Sequence, residues 1–181
     1  GLAGVAQDHA HIGTEFDRAR RLRIHSLYGK RLEPTPAMLR DMDVLVVDLQ
    51  DVGSRYYTFA WTTVLAMRVC ARMGKPVIVL DRPNPLGGER LEGNWAEPGF
   101  ASFVGLYPLP IRHGLTIAEL AAYHNETQAL GCDLTVVPMV GWRRRMRWEE
   151  TGLPWVAPSP NMPTPDTARV YPGGCLLEGT N

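Results

Sequence analysis

Short apolar runs alternate along this chain with stretches of helical periodicity, a pattern that predicts a parallel α/β sheet. Residues 43–49, Asp43-Val44-Leu45-Val46-Val47-Asp48-Leu49, are continuous, β-branched and polar at the ends. That reads as a strand buried on both faces. A helix is expected over about 58–73, with Trp61, Val64, Leu65, Val69 and Cys70 at helical spacing and Gly74 as its C-terminal cap. A second buried strand, 76–81, runs into Arg82-Pro83-Asn84-Pro85-Leu86-Gly87-Gly88, where prolines and glycines exclude regular structure. Thr116 and Glu119 form a capping box for a helix ending near Gly131, and a third strand follows at 133–138. Thr35-Pro36 opens a short helix through about Arg40. Leu109-Pro110-Ile111 reads as a further strand, and 174–181 as a strand running into a loop. No repeat or linker divides the chain, so 1–181 is read as one domain.

Composition narrows the function classes. With 181 residues, 45% of them hydrophobic, the chain is long enough to bury a substantial core. Lys and Arg number 19, as do Asp and Glu, so no global basic field exists to hold nucleic acid or an anionic membrane. No apolar run approaches the ~20 residues that span a bilayer, and the first eight residues lack the pattern of a signal peptide. Cys70, Cys132 and Cys175 are far apart, match no metal spacing and read as buried thiols. His9 and His11 alternate beside Asp8, but no third ligand is spaced to complete a metal site, so none is expected. A dinucleotide glycine fingerprint, a phosphate loop and a nucleophile elbow are all missing, and no cofactor is expected.

Ligands of an open parallel sheet gather beyond the carboxyl ends of its strands. There the sequence places Asp48, Asp51, Arg55, Tyr56 and Tyr57 after the first strand, and Asp81, Arg82 and Asn84 after the second. Trp142-Arg143-Arg144-Arg145 follows the third, and Glu178-Gly179-Thr180-Asn181 ends the chain. Acids, guanidiniums, amides and rings on one rim are the mixture a sugar site needs. Each has a structural alternative. Asp48 and Asp51 also suit capping; Arg55 also suits an ion pair with either, and Asp81-Arg82 a local pair holding the proline turn. The arginine run reads as a solvated face, Tyr56, Tyr57 and Trp61 as core. His113, after Arg112, reads as a hydrogen-bonded structural histidine. The residues alone point to a small-molecule hydrolase or binding domain.

Further segments carry a resemblance. They include Ser26-Leu27-Tyr28-Gly29, Asp48-Leu49-Gln50-Asp51-Val52-Gly53-Ser54-Arg55-Tyr56-Tyr57-Thr58, Leu80-Asp81-Arg82-Pro83-Asn84-Pro85 and Leu91-Glu92-Gly93. Ser102-Phe103-Val104-Gly105, Pro110-Ile111-Arg112-His113-Gly114, Pro158-Ser159-Pro160-Asn161-Met162-Pro163-Thr164 and Leu177-Glu178-Gly179-Thr180-Asn181 continue it. In this order they resemble the NamZ-type exo-β-N-acetylmuramidase family over essentially the whole chain. The resemblance implies a Rossmann-like, three-layer α/β domain with a mostly parallel sheet, as part of a two-domain protein whose active site lies in the cleft between domains. It implies hydrolysis of terminal β-linked N-acetylmuramic acid from the non-reducing end of peptidoglycan fragments. The partner is then a sugar or muropeptide, and a periplasmic or extracellular bacterial setting is favoured over a cytoplasmic one. Gly1 aligns with the glycine of a Glu-His-Gly motif whose glutamate would lie upstream, and the family continues beyond residue 181. Ala3 stands where the family commonly has arginine, and Asn94 where it often has proline.

Most glycosidases place two carboxyl groups across the scissile bond, ~5–5.5 Å apart when retaining and ~6.5–9.5 Å apart when inverting. The resemblance points to Glu92 or Glu178 for one of them and to the upstream glutamate for the other. Arg55, Arg82 and Arg112 are candidates for the lactyl carboxylate of muramic acid, which suits a bidentate arginine. Asn84, Asn161 and Asp81 are candidates for its hydroxyls, with Asp48, Asp51 and His113 counted in the same substrate site. A non-catalytic sugar- or muropeptide-binding module is the alternative.

Overall fold

A computed structural model describes residues 14–29, 31–97, 99–178 and 180. Expectations for residues 1–13, including the His9 and His11 pair and the alignment of Gly1, lie outside the described residues, as does the side chain of Glu178.

The chain begins with a hairpin of β1 (Glu15–Asp17) and β2 (Leu22–Ile24), followed by the short helix α1 (Pro36–Leu39). Thr35 caps α1 and Pro36 opens it, as the sequence predicts. Strand β3 (Leu45–Val47), helix α2 (Phe59–Arg72) and strand β4 (Val77–Leu80) form one β-α-β unit. The chain then inserts an antiparallel hairpin, β5 (Glu92–Trp95) and β6 (Pro110–Arg112), before helix α3 (Ile117–Thr127) and strand β7 (Leu134–Val137). A 3-10 turn (Trp148–Thr151) and helix α4 (Pro165–Glu178) complete it. Strands β3, β4 and β7 form a parallel sheet in that order, with Val47, Val79 and Val136 in register.

Helices α2 and α3 pack on one face of this sheet. Trp61, Met67 and Val69 of α2 and Leu120 of α3 meet Val47, Val77 and Val79 in one core. Each large side chain so enclosed contributes roughly 1.5–3 kcal/mol. His124 of α3 lies wholly inside, its ring 5.3 Å from Trp61, 5.4 Å from Tyr107 and 5.0 Å from Tyr123, with neither nitrogen hydrogen-bonded. Burial, aided by the nearby His113, pushes its pKa down to about 4.

Two expectations need correction. Strand β3 is not buried on both faces, Val46 being 51% exposed beside the enclosed Val47, and β7 is wetter still, with Val136 38% and Val137 46% exposed. Their continuous apolar character overstated the burial. Residues 174–178 are not a strand, because helix α4 runs through Pro172, Gly173 and Gly174 to Glu178. Pro165 suits a first turn, and Ala168 and Tyr171, three apart, pack with Val52 and Tyr57. Packing of that stripe outweighs the local breakers.

Candidate active site

The rim beyond the sheet is built from three loops and the inserted hairpin. Asp81, one residue past β4, accepts hydrogen bonds from Thr116 Oγ1 and the Ala118 backbone N–H, both at 3.1 Å. It thus ties β4 to the first turn of α3, where the helix favours an anion. Burial raises its pKa, against the pull of those hydrogen bonds. The expected capping box of α3 is present, Thr116 and Glu119 bonding reciprocally. Arg144, from the run read as a solvated face, reaches Gly114 O at 3.1 Å and pairs with Glu119.

The loop after β3 turns at Gly53, whose φ is +81° and where an added Cβ would stand 2.3 Å from Asn84 Oδ1. Only glycine meets both demands. Asp51 Oδ2 accepts from Gly53 N at 2.7 Å, an Asx-type turn. Asn84 donates to Leu115 O and accepts from Leu86 N, both at 2.9 Å. His113 Nδ1 accepts from Leu115 N at 3.1 Å, which assigns its proton to Nε2, 3.3 Å from Asp51 Oδ2. All three side chains are enclosed, Asp51 at 3%, Asn84 at 2% and His113 at 1% exposure. They hold the loops around them and form the floor of the rim, although Asp51 Oδ1 and His113 Nε2 are buried without a hydrogen-bond partner.

The hairpin is more open. Glu92 opposes Arg112 in the β5–β6 register, and the two side chains pair at 2.7 Å. That hydrogen bond and charge hold the Glu92 carboxyl below its usual pKa, and more than half of the side chain stays exposed. Arg112 also donates to Leu86 O, joining the hairpin to the proline turn. Gly93 has φ +84°, and a Cβ there would meet Ile111 Cβ at 2.7 Å, so the two strands close tightly beside Glu92. Asp48 and Arg82 form an exposed pair at 2.6 Å.

Arg55 is fixed by the same hairpin. Its backbone N–H bonds Ile111 O at 2.8 Å, and its Nη1 donates to Asn94 O at 2.7 Å and Leu109 O at 2.6 Å. Beside it lies a hollow of about 400 Å³, lined by Arg55, Tyr56, Trp95, Phe100 and Ser102 among others. Trp95 and Phe100 were not singled out from sequence, although two aromatic rings in a polar loop without apolar periodicity are a readable signal. Tyr56, read as core, lines this hollow and its hydroxyl pKa is raised by burial; Tyr57 and Trp61 are buried as expected. Asn161 is exposed on the turn before α4 and does not line the hollow. Glu178 ends α4.

Among the described residues no group of three His, Cys, Asp or Glu side chains is placed to hold a metal, and no helix is long and apolar enough to cross a membrane. Cys70 and Cys132 are buried free thiols and Cys175 is partly exposed.

The architecture and rim define a mixed α/β protein with a parallel sheet and a polar lip. The chain belongs to the family described as exo-beta-N-acetylmuramidase NamZ, N-terminal, which it matches over residues 1–166. It is 49% identical over its whole length to peptidoglycan beta-N-acetylmuramidase NamZ of Bacillus subtilis (strain 168), covering 44% of that protein. A crystal structure of a DUF1343 family protein from Bacteroides fragilis NCTC 9343 superposes with TM-score 0.87 at 47% identity, over 90% of this chain and 43% of that one. A second from the same organism gives TM-score 0.73 at 36% identity, over 81% of this chain and 41% of the other. The chain thus spans less than half the length of each of these relatives.

Proposed function

We propose that the protein is a glycoside hydrolase that releases terminal N-acetylmuramic acid from the non-reducing end of peptidoglycan fragments, in cell-wall turnover. The 181 residues act as one domain of that machinery. Family membership supports the reading, and the observation that carries it within this chain is Glu92. It is an exposed carboxylate on a tightly closed hairpin, kept ionised by Arg112.

An ionised, arginine-paired carboxylate is suited to activate water, or to attack or stabilise the sugar carbon, and poorly suited to protonate a leaving group. Glu92 therefore takes the base or nucleophile role. The proton donor is a second carboxyl group with a raised pKa, for which Glu178 remains a candidate. Asp51, Asn84 and His113 act from beneath by fixing the loops, and Asp81 by fixing α3 against β4. Asp48, Arg82, Arg112 and Asn161 complete the polar lip that meets the sugar.

Release of N-acetylmuramic acid by the full-length protein tests this. Glu92→Gln lowers turnover by about 10²–10⁴-fold, the usual weight of one acid–base group. Near wild-type turnover in both Glu92→Gln and Glu178→Gln would remove both residues from the chemistry.

A further inference from the structure

Of the three guanidiniums at the rim, two already face a carboxylate: Arg82 faces Asp48 and Arg112 faces Glu92. Arg55 does not. It is 8% exposed, and no carboxylate among the described residues lies within ion-pairing distance of it. A buried charge without a counter-charge is costly, and such groups are ordinarily paired. Here the side chain donates from Nη1 to two backbone carbonyls, Asn94 O and Leu109 O, and the guanidinium lies 5.2 Å from the centre of the Tyr56 ring, whose hydroxyl it also reaches; all of these partners are uncharged. A guanidinium has five N–H donors. Two bonds at Nη1 leave the Nε–Nη2 edge, the side-on fork that matches both oxygens of a carboxylate.

Arg55 lines the hollow of about 400 Å³, within the ~300–1,000 Å³ typical of small-molecule sites. A Cβ added to Gly105 would lie 3.7 Å from Arg55 Nε, so the glycine leaves the fork uncovered. Trp95 and Phe100 line the same hollow, 51% and 77% exposed, and offer apolar faces. Asn94, whose carbonyl anchors Arg55, lies two residues from Glu92 on β5.

We propose that this hollow is the subsite for a carboxylate carried beside a sugar ring: Arg55 binds the carboxylate, Trp95 and Phe100 bear on the ring, and Gly105 keeps the fork open. The proposal rests on the muramidase reading, in which the carboxylate is the lactyl group of muramic acid. Glu97, also on the hollow and exposed, supplies opposing charge and weakens the binding.

The test is calorimetric titration of the full-length protein with N-acetylmuramic acid and with its lactyl amide, which differ in that one charge. Wild type is expected to prefer the acid by about 10- to 100-fold, the worth of a charged hydrogen-bonded pair. Arg55→Lys, and independently Gly105→Val, abolish the preference, while Glu97→Gln enlarges it. Gly105→Val keeps the Arg55 anchors intact, so it answers even if Arg55→Lys fails to fold. Equal affinity of wild type for acid and amide, or a preference that survives Gly105→Val, overturns the proposal. An Arg55-dependent preference without release of N-acetylmuramic acid from glycan by wild type leaves the subsite standing and removes the hydrolase reading.

Discussion

The floor of the rim and the β5–β6 hairpin are both rich in polar side chains, yet they use them in opposite ways. On the floor, Asp51, Asn84 and His113 are enclosed and hold neighbouring backbone in place. On the hairpin, Glu92 is half exposed, and Trp95 of β5 lines a hollow that Arg55 also borders. The two carboxylates Asp81 and Glu92 repeat the contrast: burial raises the pKa of the first and an arginine lowers that of the second. A polar residue at a strand end is therefore not by itself a ligand contact. What separates the two groups is enclosure: the floor side chains are shut in, whereas the hairpin carboxylate meets solvent.

The sharpest break of this comparison is Gly53→Ala. A left-handed backbone and a 2.3 Å approach to Asn84 Oδ1 make the substitution cost about 3–4 kcal/mol, read as a shift in the denaturation midpoint. The next effect lies in the core behind the floor. The folded pKa of His124, about 4, is below its ordinary value of 6.5, so the unfolded chain takes up the proton first. Its contribution is present above pH 6.5, declines as pH falls toward 4, and levels off below, a loss of at most about 3 kcal/mol. Denaturation at successive pH values checks this, and His124→Leu flattens that part of the profile. The smallest effect belongs to the hairpin. Phe100→Ala changes stability by no more than about 0.5 kcal/mol, because the ring is 77% exposed, and Trp95→Ala, at a half-exposed ring, by about 1 kcal/mol. A loss of 2 kcal/mol in either variant would make the rings scaffold and erase the contrast.

Helices α2 and α3 and the strands of the parallel sheet were legible because each carries its own periodicity and stop signals. The capping box at Thr116 and Glu119 was readable to the residue. Helix α4 was hidden because Pro172, Gly173 and Gly174 are local breakers, whereas its stabilising contacts with Val52 and Tyr57 are more than a hundred residues away in sequence. Residue type showed that Arg55, Arg82 and Arg112 suit an anion. Only coordinates show that two of them already have one. Burial of Asp51 and His113 was invisible for the same reason, since spacing along a chain carries no record of what covers a loop.

The wet valines of the sheet bear on how this polypeptide behaves in solution. Val46 and Val137 belong to β3 and β7, the outer strands of the parallel sheet among the described residues, so apolar surface lies next to strand edges that no described strand covers. Formal charge is zero at neutrality and the isoelectric point is near 7.1, which leaves little electrostatic repulsion between copies. Colloidal stability is accordingly lowest around neutral pH, and moving the buffer a unit or two to the alkaline side is the simplest way to keep concentrated samples dispersed.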